Sequence, residues 1–189
     1  MRTSCRNAGA SVAIAALALT SLAATPVFAK TKKDDVEKVG HVLAYALPAA
    51  AGGISLFSGD REGVAELVIS YALTMGTTYG LKNVVSEERP DHSGNDSFPS
   101  GSAASAFAGA AYLDKRYGWQ FGLPAYAVAS FVGYSRVESK QHHWYDVVAG
   151  AAFGWGFNQL VTTEDEIGGM TVHPLLATDY VGLDLDLKW

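Results

Sequence analysis

Three short clusters within residues 82–146 carry side chains suited to phosphate chemistry. They combine cations, small residues that expose the backbone, and a histidine near a carboxylate. The clusters contain Lys82 with Arg89, then Pro99, Ser100, Gly101 and Ser102, and finally Arg136, His142 and Asp146. A tetrahedral oxyanion presents several oxygens to such groups at once, so the three clusters together predict one phosphate site.

The cations and the small residues supply the binding side of this site. Lys82, Arg89 and Arg136 come from three places in the chain. Arginine binds phosphate through a planar fork and lysine as a point charge. Ser100 and Gly101 stand where a helix is predicted to begin, so free backbone N–H groups and the positive end of the helix dipole add to the site. Gly101 also allows a close backbone approach.

His142 and Asp146 supply the reactive pair. Their spacing of four residues predicts that they lie one helical turn apart. A carboxylate that accepts a hydrogen bond from one ring nitrogen leaves the other with a free lone pair, so His142 is the predicted nucleophile and a phosphohistidine the predicted intermediate. This chemistry demands no metal and no cofactor, because the cations and the helix terminus already oppose the oxyanion charge.

The spacings Lys82-x6-Arg89-Pro90, Pro99-Ser100-Gly101 and Ser135-Arg136-x5-His142-x3-Asp146 resemble a known three-part signature. It belongs to the type 2 phosphatidic acid phosphatase superfamily, which includes bacterial class A acid phosphatases and vanadium haloperoxidases. The resemblance implies an all-α bundle with a metal-independent phosphohydrolase site. It also implies that Lys82, Arg89, Ser100, Gly101 and Arg136 bind phosphate, that His142 is the nucleophile and that Asp146 orients it.

Ser102 departs from this signature. The family's second motif normally continues with a histidine that protonates the leaving group. A serine hydroxyl does not replace an imidazole near neutral pH, and the loss of a general acid typically costs about 10²–10⁴-fold in rate. His92 or His143 is therefore a candidate spare acid, and His92, in the loop, is the better of the two.

Leaving-group chemistry offers another answer to the missing acid. Phosphate that leaves a diphosphate is much less basic than an alkoxide that leaves a monoester, so we expect a preference for lipid diphosphates among phosphorylated lipids. Two alternatives stay open: a soluble nonspecific acid phosphatase for small phosphate esters, and a non-catalytic protein that binds phosphate or phospholipid.

Composition limits the class of partner. The chain has 189 residues and a net charge of −5, with 49% hydrophobic residues. A nucleic-acid-binding protein would carry a basic face, so nucleic acid is excluded as a partner. A phosphorylated lipid or a small phosphate ester is the expected substrate, and a membrane surface is an expected partner.

The first 29 residues have the pattern of a secretory signal peptide. Arg2 and Arg6 form a basic start, an uncharged run covers residues 11–24, and Ala29 ends a suitable cleavage site. We expect export and a periplasmic location. The alternative is an integral membrane protein in which this segment is retained.

The remaining chain predicts one domain of five helices with a small C-terminal hairpin. The helical part is residues 30–169, and the hairpin is residues 170–189, where apolar and polar residues alternate from Val181 to Trp189. We expect the hairpin to pack on the bundle. The predicted helices are Asp35–Phe57, Arg61–Val85, Ser100–Arg116, Trp119–Val137 and Tyr145–Val161.

Two of these helices leave the relation to the membrane open. Residues 39–57 and 117–135 are uncharged over nearly the ~20 residues that a membrane span needs. The other helical runs are shorter. A periplasmic bundle with an apolar centre is therefore favoured, with membrane association as the alternative.

Overall fold

The computed structural model of the protein describes residues 33–164, 170–176 and 181–187, with side chains described for residues 35–164. The predicted signal peptide, residues 1–29, lies outside these residues and stays a prediction. The described part is mainly helical, and the prediction of five helices is confirmed. The helices are α1 (Lys33–Ser58), α2 (Arg61–Val84), α3 (Gly101–Tyr117), α4 (Trp119–Glu138) and α5 (Trp144–Val161).

Helix α3 is the centre of the bundle and packs against all four other helices. Its small side chains allow these close contacts. A Cβ atom added at Gly109 would lie 2.7 Å from the backbone nitrogen of Pro48 in α1, and one added at Gly154 in α5 would lie 2.6 Å from the backbone nitrogen of Ala108. Small residues in α3 and α5 therefore let the backbones of neighbouring helices approach closely.

Helix α2 turns a polar side toward the bundle. Ser70, Thr74 and Thr78 are fully buried, whereas Leu73 and Tyr79 are 43% and 52% exposed. Thr74 satisfies its hydroxyl by donating to the backbone carbonyl of Ser70 at 2.8 Å. Apolar side chains therefore do not mark the whole buried side of α2. Lys82 follows Thr78 by one turn and so lies on the inward side of the helix.

A buried ionic network closes the end of the bundle where α2 begins and α3 ends. Arg116 is 4% exposed and donates to both carboxylate oxygens of Asp60, at 2.7 and 2.9 Å. Its Nη1 atom also donates to Thr163 Oγ1 at 2.7 Å and lies 3.4 Å from a carboxylate oxygen of Glu66. The Tyr117 hydroxyl donates to Asp60 at 2.8 Å. This network ties α2, α3 and the segment after α5 together.

The loop between α2 and α3, residues 85–100, is held by its own backbone. The N–H of Glu87 donates to Asn95, and the N–H of Ser97 donates to Glu87, at 3.0 and 2.9 Å. Arg89 donates across the same loop to Gly94 at 2.8 Å. The loop is irregular, as its composition predicts, but its two sides are joined.

Two strands follow the bundle in the chain. They are β1 (Met170–Leu176) and β2 (Val181–Leu187), and they pair antiparallel with Met170 opposite Leu187. Their side chains lie outside the described residues. The packing of a C-terminal hairpin on the bundle therefore stays a prediction.

Candidate active site

The ends of four helices gather the three sequence clusters at one end of the bundle. Lys82 lies in the last turn of α2, Ser100 caps the start of α3, Arg136 lies in the last turn of α4, and Asp146 lies in the first turn of α5. The backbone N–H of Ser100 donates to the backbone carbonyl of Asp146 at 3.0 Å. This bond joins the starts of α3 and α5, so the second and third clusters are in contact.

His142 is buried at the centre of this region, with 6% of its surface exposed. Its Nδ1 atom lies 2.8 Å from the backbone carbonyl oxygen of Ser97. A carbonyl only accepts hydrogen bonds, so Nδ1 carries the ring proton and donates it. The Nε2 atom of a neutral His142 then holds the lone pair, as a nucleophile requires.

The surroundings of His142 keep it neutral. The pKa of its ring is lowered to about 4, with burial as the largest cause and the positive charge of Lys82 as the next. Arg89 acts in the same direction, whereas the bond to Ser97 and the charge of Asp146 raise the pKa. His142 is therefore uncharged at neutral pH.

Asp146 does not hold His142 directly, which corrects the predicted hydrogen bond. The distance from His142 Nδ1 to Asp146 Oδ2 is 3.7 Å. The reason is the start of α5: His143 is the residue before the helix, so His142 lies outside it, and the two side chains are not one helical turn apart. Asp146 Oδ2 instead accepts from Ser97 Oγ at 2.5 Å and from the backbone N–H of His143 at 2.8 Å.

Lys82 and Arg89 come together on one residue, Asp96. Arg89 donates to the two carboxylate oxygens of Asp96 at 2.9 and 3.1 Å, and Lys82 donates to its backbone carbonyl. Burial lowers the pKa of Lys82, partly offset by the charge of Asp96, and Arg89 lowers it as well. Arg89 is thus close enough to Lys82 for its charge to act on the lysine.

The start of α3 presents backbone donors, but Ser100 is largely used by the fold. Its side chain is fully buried and accepts from the N–H of Ala103 at 3.4 Å, and its own N–H is bonded to Asp146. The first N–H groups of a helix have no partner within the helix. Gly101 and Ser102, both half-buried, therefore offer the N–H groups for an anion.

Gly101 lies beside Lys82 but is not sterically required. A Cβ atom added there would stay 4.0 Å from Lys82 Cε and 3.9 Å from Thr78 Cγ2, which is ordinary van der Waals contact. The predicted close approach of the Gly101 backbone to a bound anion stays a prediction. The short distance nevertheless places the start of α3 next to the Lys82 side chain.

Arg136 is buried at the edge of the site and turns toward α1. It is 2% exposed and donates to the backbone carbonyl of Glu37 and to Ser135 Oγ. Burial lowers the pKa of Arg136, and the charge of Arg89 adds a smaller effect in the same direction. Of the three cations predicted to converge, Lys82 and Arg89 share Asp96 as a hydrogen-bond partner. Arg136 lies near them, but its hydrogen bonds go to Glu37 and Ser135.

A cleft of about 370 Å³ opens beside Arg136. Gln141, the neighbour of His142, forms part of its wall and donates to the Glu37 carboxylate at 2.6 Å. The cleft therefore adjoins the nucleophile's segment of chain. Its lining residues are Glu37, Lys38, His41, Val42, Arg136 and Gln141.

The two candidate spare acids differ in position. His92 is exposed in the loop, and its Nδ1 atom lies 2.6 Å from the carboxylate of Glu88. His143 stacks on the ring of Tyr145, and its Nδ1 atom lies 3.4 Å from Asp146 Oδ2 and 3.7 Å from Glu87 Oε1. Of these two histidines, only His143 contacts Asp146, whose carboxylate also accepts a hydrogen bond from Ser97 beside His142.

Among the residues that the structure describes, Glu87, His143 and Asp146 also form a group whose ligand atoms lie within 4.8 Å of one another. One ligand atom from each of these residues is close enough to the others to bind a metal cation or to share a proton. Asp146 Oδ2 already accepts two hydrogen bonds, and the Tyr145 hydroxyl donates to Glu87 Oε1. The group is therefore already partly occupied by protein donors.

Asp96 and Ser97 have contacts at the site that the sequence reasoning missed. Asp96 is bonded to both cations, and Ser97 is bonded to both His142 and Asp146. The only sequence signal was their position just before the Pro-Ser-Gly run. Nothing in residue type distinguishes Asp96 from Asp91 in the same loop.

Comparison with known proteins agrees with these motifs. A sequence profile of the PAP2 superfamily matches residues 63–163. The chain is 33% identical over 158 residues to a lipid A 4′-phosphatase of Helicobacter pylori, and the match covers 78% of this chain and 79% of the relative. It is also 33% identical over 132 residues to a lipid A 1-phosphatase of Porphyromonas gingivalis, covering 66% of this chain but 28% of that protein.

A solved structure supports the fold. The crystal structure of Aquifex aeolicus LpxE superposes with a TM-score of 0.51 and 23% identity, covering 64% of this chain and 84% of that one. The superfamily match, residues 63–163, takes in nearly all of α2 and the whole of α3 to α5.

Proposed function

The chain belongs to the PAP2 superfamily and is a phosphatase, and from this premise we propose that it releases phosphate from a phosphorylated lipid through a phosphohistidine at His142. The observation that carries the proposal is the bond from His142 Nδ1 to the Ser97 carbonyl, which leaves Nε2 as the reactive atom. The positive charges of Lys82 and Arg89 both act on the His142 ring and favour its neutral form.

In the first step, the Nε2 lone pair of His142 attacks phosphorus. The bond between phosphorus and the leaving oxygen breaks, and its electron pair stays on that oxygen. Lys82 and Arg89 bind the oxygens of the transferring phosphoryl group, together with the N–H groups of Gly101 and Ser102. These donors are in place before the reaction, so they stabilise developing charge without reorganisation.

In the second step, water attacks the phosphohistidine. The bond between Nε2 and phosphorus breaks, its electron pair returns to the ring, and inorganic phosphate is released. The proton on Nδ1 stays with His142 throughout because the Ser97 carbonyl holds it. Asp146 supports this arrangement through Ser97 Oγ.

The leaving oxygen needs a proton that Ser102 does not supply. We assign this role to His143 in preference to His92, because His143 lies beside Asp146 and Glu87, whereas His92 pairs with Glu88 in the exposed loop. A weakly basic leaving group lowers the demand on this acid.

Turnover of a lipid diphosphate is expected to exceed that of the matching lipid monophosphate by at least about tenfold. The reason is the missing histidine at position 102, because a general acid usually contributes about 10²–10⁴-fold and matters most for a basic alkoxide. Phosphate release from the two lipids, presented in the same detergent micelles, measures this ratio. Equal or faster release from the monophosphate would contradict the preference.

The variant Ser102→His supplies the control. Restoring an imidazole at this position is expected to speed the monophosphate reaction more than the diphosphate reaction, so the ratio falls. The variant His142→Ala shows the background release for both lipids. A Ser102→His protein that is folded yet leaves the ratio unchanged would mean that position 102 does not face the leaving group.

Activity is expected to persist well below neutral pH. Attack requires neutral His142, and burial lowers the pKa of this ring to about 4. The acid side of the rate profile in the free enzyme should therefore lie near pH 4 rather than near the ordinary histidine value of about 6.5. The pH dependence of kcat/KM measures it, and an acid limb near pH 6.5 would contradict a buried nucleophile.

The same lowered pKa links stability to pH. The unfolded chain binds a proton at His142 near pH 6.5, while the folded chain resists it down to about 4. Folding stability is therefore expected to decrease as the pH falls through this window. Unfolding curves at several pH values, compared with those of His142→Ala, isolate the contribution of this ring.

The substrate class is proposed from the relatives and from the protein surface. Two relatives named as lipid A phosphatases support phosphate on lipid A or a similar lipid as the substrate. Family membership also favours catalysis over non-catalytic binding of phosphate. The lipid substrates named for these two relatives favour a lipid phosphatase over an enzyme that hydrolyses small soluble phosphate esters.

The outer faces of the bundle support a location at a membrane. Four helices expose large apolar side chains, whereas α3 is buried among them, and extensive apolar surface marks a contact with lipid or protein. Within the described residues, α1 contains a stretch, Asp35–Ser58, that is long and apolar enough by composition to cross a membrane. Membrane pelleting separates a soluble periplasmic protein from an integral one. The exposed side chains include Val42, Phe57, Val68, Leu123, Tyr134, Val148, Trp155 and Leu160.

A further inference from the structure

Asp96 holds both phosphate-side cations through two different groups. Its carboxylate accepts from Arg89 Nε at 2.9 Å and from Arg89 Nη2 at 3.1 Å, and its backbone carbonyl accepts from Lys82 Nζ. A guanidinium has five N–H donors. Arg89 therefore keeps its Nη1 hydrogens and one Nη2 hydrogen for an incoming oxyanion, so Asp96 orients this cation without using it up.

Asp96 is suited to this task because it stays charged. Although partial burial works against it, the hydrogen bond and the charge of Arg89 lower the pKa of Asp96. Its side chain is 53% exposed, and exposed ion pairs contribute little to folding stability. The pair with Arg89 is thus poorly explained as a device for stability alone.

Ser97, the next residue, holds the nucleophile side. It is fully buried, its carbonyl accepts from His142 Nδ1 at 2.8 Å, and its hydroxyl donates to Asp146 Oδ2 at 2.5 Å. A carboxylate acceptor makes this hydrogen bond a strong one. Asp146 therefore reaches His142 through Ser97.

The backbone on both sides of this dipeptide is fixed to Glu87. The N–H of Ser97 donates to the Glu87 carbonyl at 2.9 Å, and the N–H of Glu87 donates to the carbonyl of Asn95 at 3.0 Å. Asp96 is thus held between two cross-loop bonds. A movement of the loop would shift the cations and the histidine together.

We propose that Asp96 and Ser97 act as a positioning pair, which sets the distance between the cations that bind phosphate and the histidine that attacks it. Asp96 positions Lys82 and Arg89, and Ser97 positions His142. The inference rests on the proposed phosphatase mechanism. It assigns roles to two residues outside the sequence motifs.

The two residues are expected to affect different kinetic constants. With p-nitrophenyl phosphate as the probe, Asp96→Asn should raise KM and the inhibition constant of inorganic phosphate about three- to tenfold, with kcat changed less than about twofold. Removing a negative charge would by itself tighten phosphate binding, so weaker binding is the distinctive sign of lost positioning. Asp96→Glu, which keeps the carboxylate, should recover part of the affinity.

Ser97→Ala is expected to lower kcat by about tenfold or more, with the inhibition constant of phosphate within about twofold of wild type. The loss of the hydroxyl frees Asp146 and loosens the carbonyl that holds His142. Ser97→Thr keeps a hydroxyl and should restore most of kcat. Since Ser97 is buried, folding of each variant is checked by circular dichroism, and the exposed Asp96 variants test the proposal even where a Ser97 variant fails to fold.

Matched controls lie in the same loop. Asp91 and Ser93 are exposed, and Asp91 accepts hydrogen bonds from Ser93, including one from its backbone N–H at 3.0 Å. Asp91→Asn and Ser93→Ala should leave KM and kcat within about twofold. Asp96→Asn or a folded Ser97→Ala that behaves like its control would overturn the positioning pair.

Failure of the two proposals would look different. A wild-type protein that releases no more phosphate than His142→Ala would refute the proposed function. Calorimetric binding of inorganic phosphate still tests Asp96 in that case, because binding does not need turnover. Tighter phosphate binding by Asp96→Asn would show that Asp96 competes with phosphate, and would refute its positioning role.

Discussion

Replacing His142 with alanine is expected to lower the rate of phosphate release by at least about a thousandfold. The variant lacks the atom that forms the bond to phosphorus, and no neighbouring group has the same position relative to the Ser97 carbonyl. Binding of inorganic phosphate should change far less, because Lys82 and Arg89 remain on Asp96. Release of phosphate from lipid substrate and calorimetric phosphate binding measure the two effects.

His41→Ala is the matched control for this variant. His41 is an exposed histidine whose ring contacts that of Tyr45 at a centroid distance of 5.4 Å. His41 lines the cleft beside Arg136 but contacts neither His142 nor the cations on Asp96, so its removal should leave the rate within about threefold of wild type. If folded His142→Ala retained more than about a tenth of the wild-type rate, a nucleophilic His142 would be ruled out.

Replacing Arg116 with alanine is expected to reduce the free energy of unfolding by about 3–5 kcal/mol. Arg116 is buried and pairs with Asp60 and Glu66, so its loss leaves two carboxylates without their cation. Lowering the pH should then recover part of the stability, because protonation removes the uncompensated charge. Urea unfolding followed by circular dichroism measures the change.

Lys115→Ala is the control for Arg116→Ala. Lys115 pairs with Glu164 at 2.8 Å, but Glu164 is 78% exposed, and such surface pairs are worth at most about 1 kcal/mol. A loss of stability in Arg116→Ala no greater than that in Lys115→Ala would mean that the ionic network does not hold the helices. Because Arg116 lies at the other end of α3 from Ser100, the folded fraction should keep its activity.

Helix positions could be predicted because the signals for them are local. Ser100 caps α3 with its side chain, and the glycine after Tyr117 ends that helix, as the sequence suggests. The inward face of α2 was harder to predict. In a bundle with an apolar outer surface, hydrophobicity no longer marks the inside, so Thr74 and Thr78 were not expected in the core while Leu73 is exposed.

For the site, too, features that depend on nearby residues could be predicted, whereas contacts between residues distant in the chain could not. Motif spacing correctly predicted that Lys82, Ser100 and Asp146 belong to one region. It did not reveal that the Ser97 carbonyl holds His142, because this contact joins residues 45 positions apart. The direct bond from Asp146 to His142 was expected from helical spacing, and it is absent because α5 begins only at Trp144.

The glycine contacts of α3 also limit how this protein can diverge. At Gly109, Gly150 and Gly154, one added methyl group would collide with the backbone of a neighbouring helix. Substitutions there are confined to residues that fit this spacing, whereas the outward faces of α1, α2 and α5 accept many apolar side chains of different shape. Sequence change should therefore accumulate on these outward faces. The distances among the reacting groups of the site should stay constant.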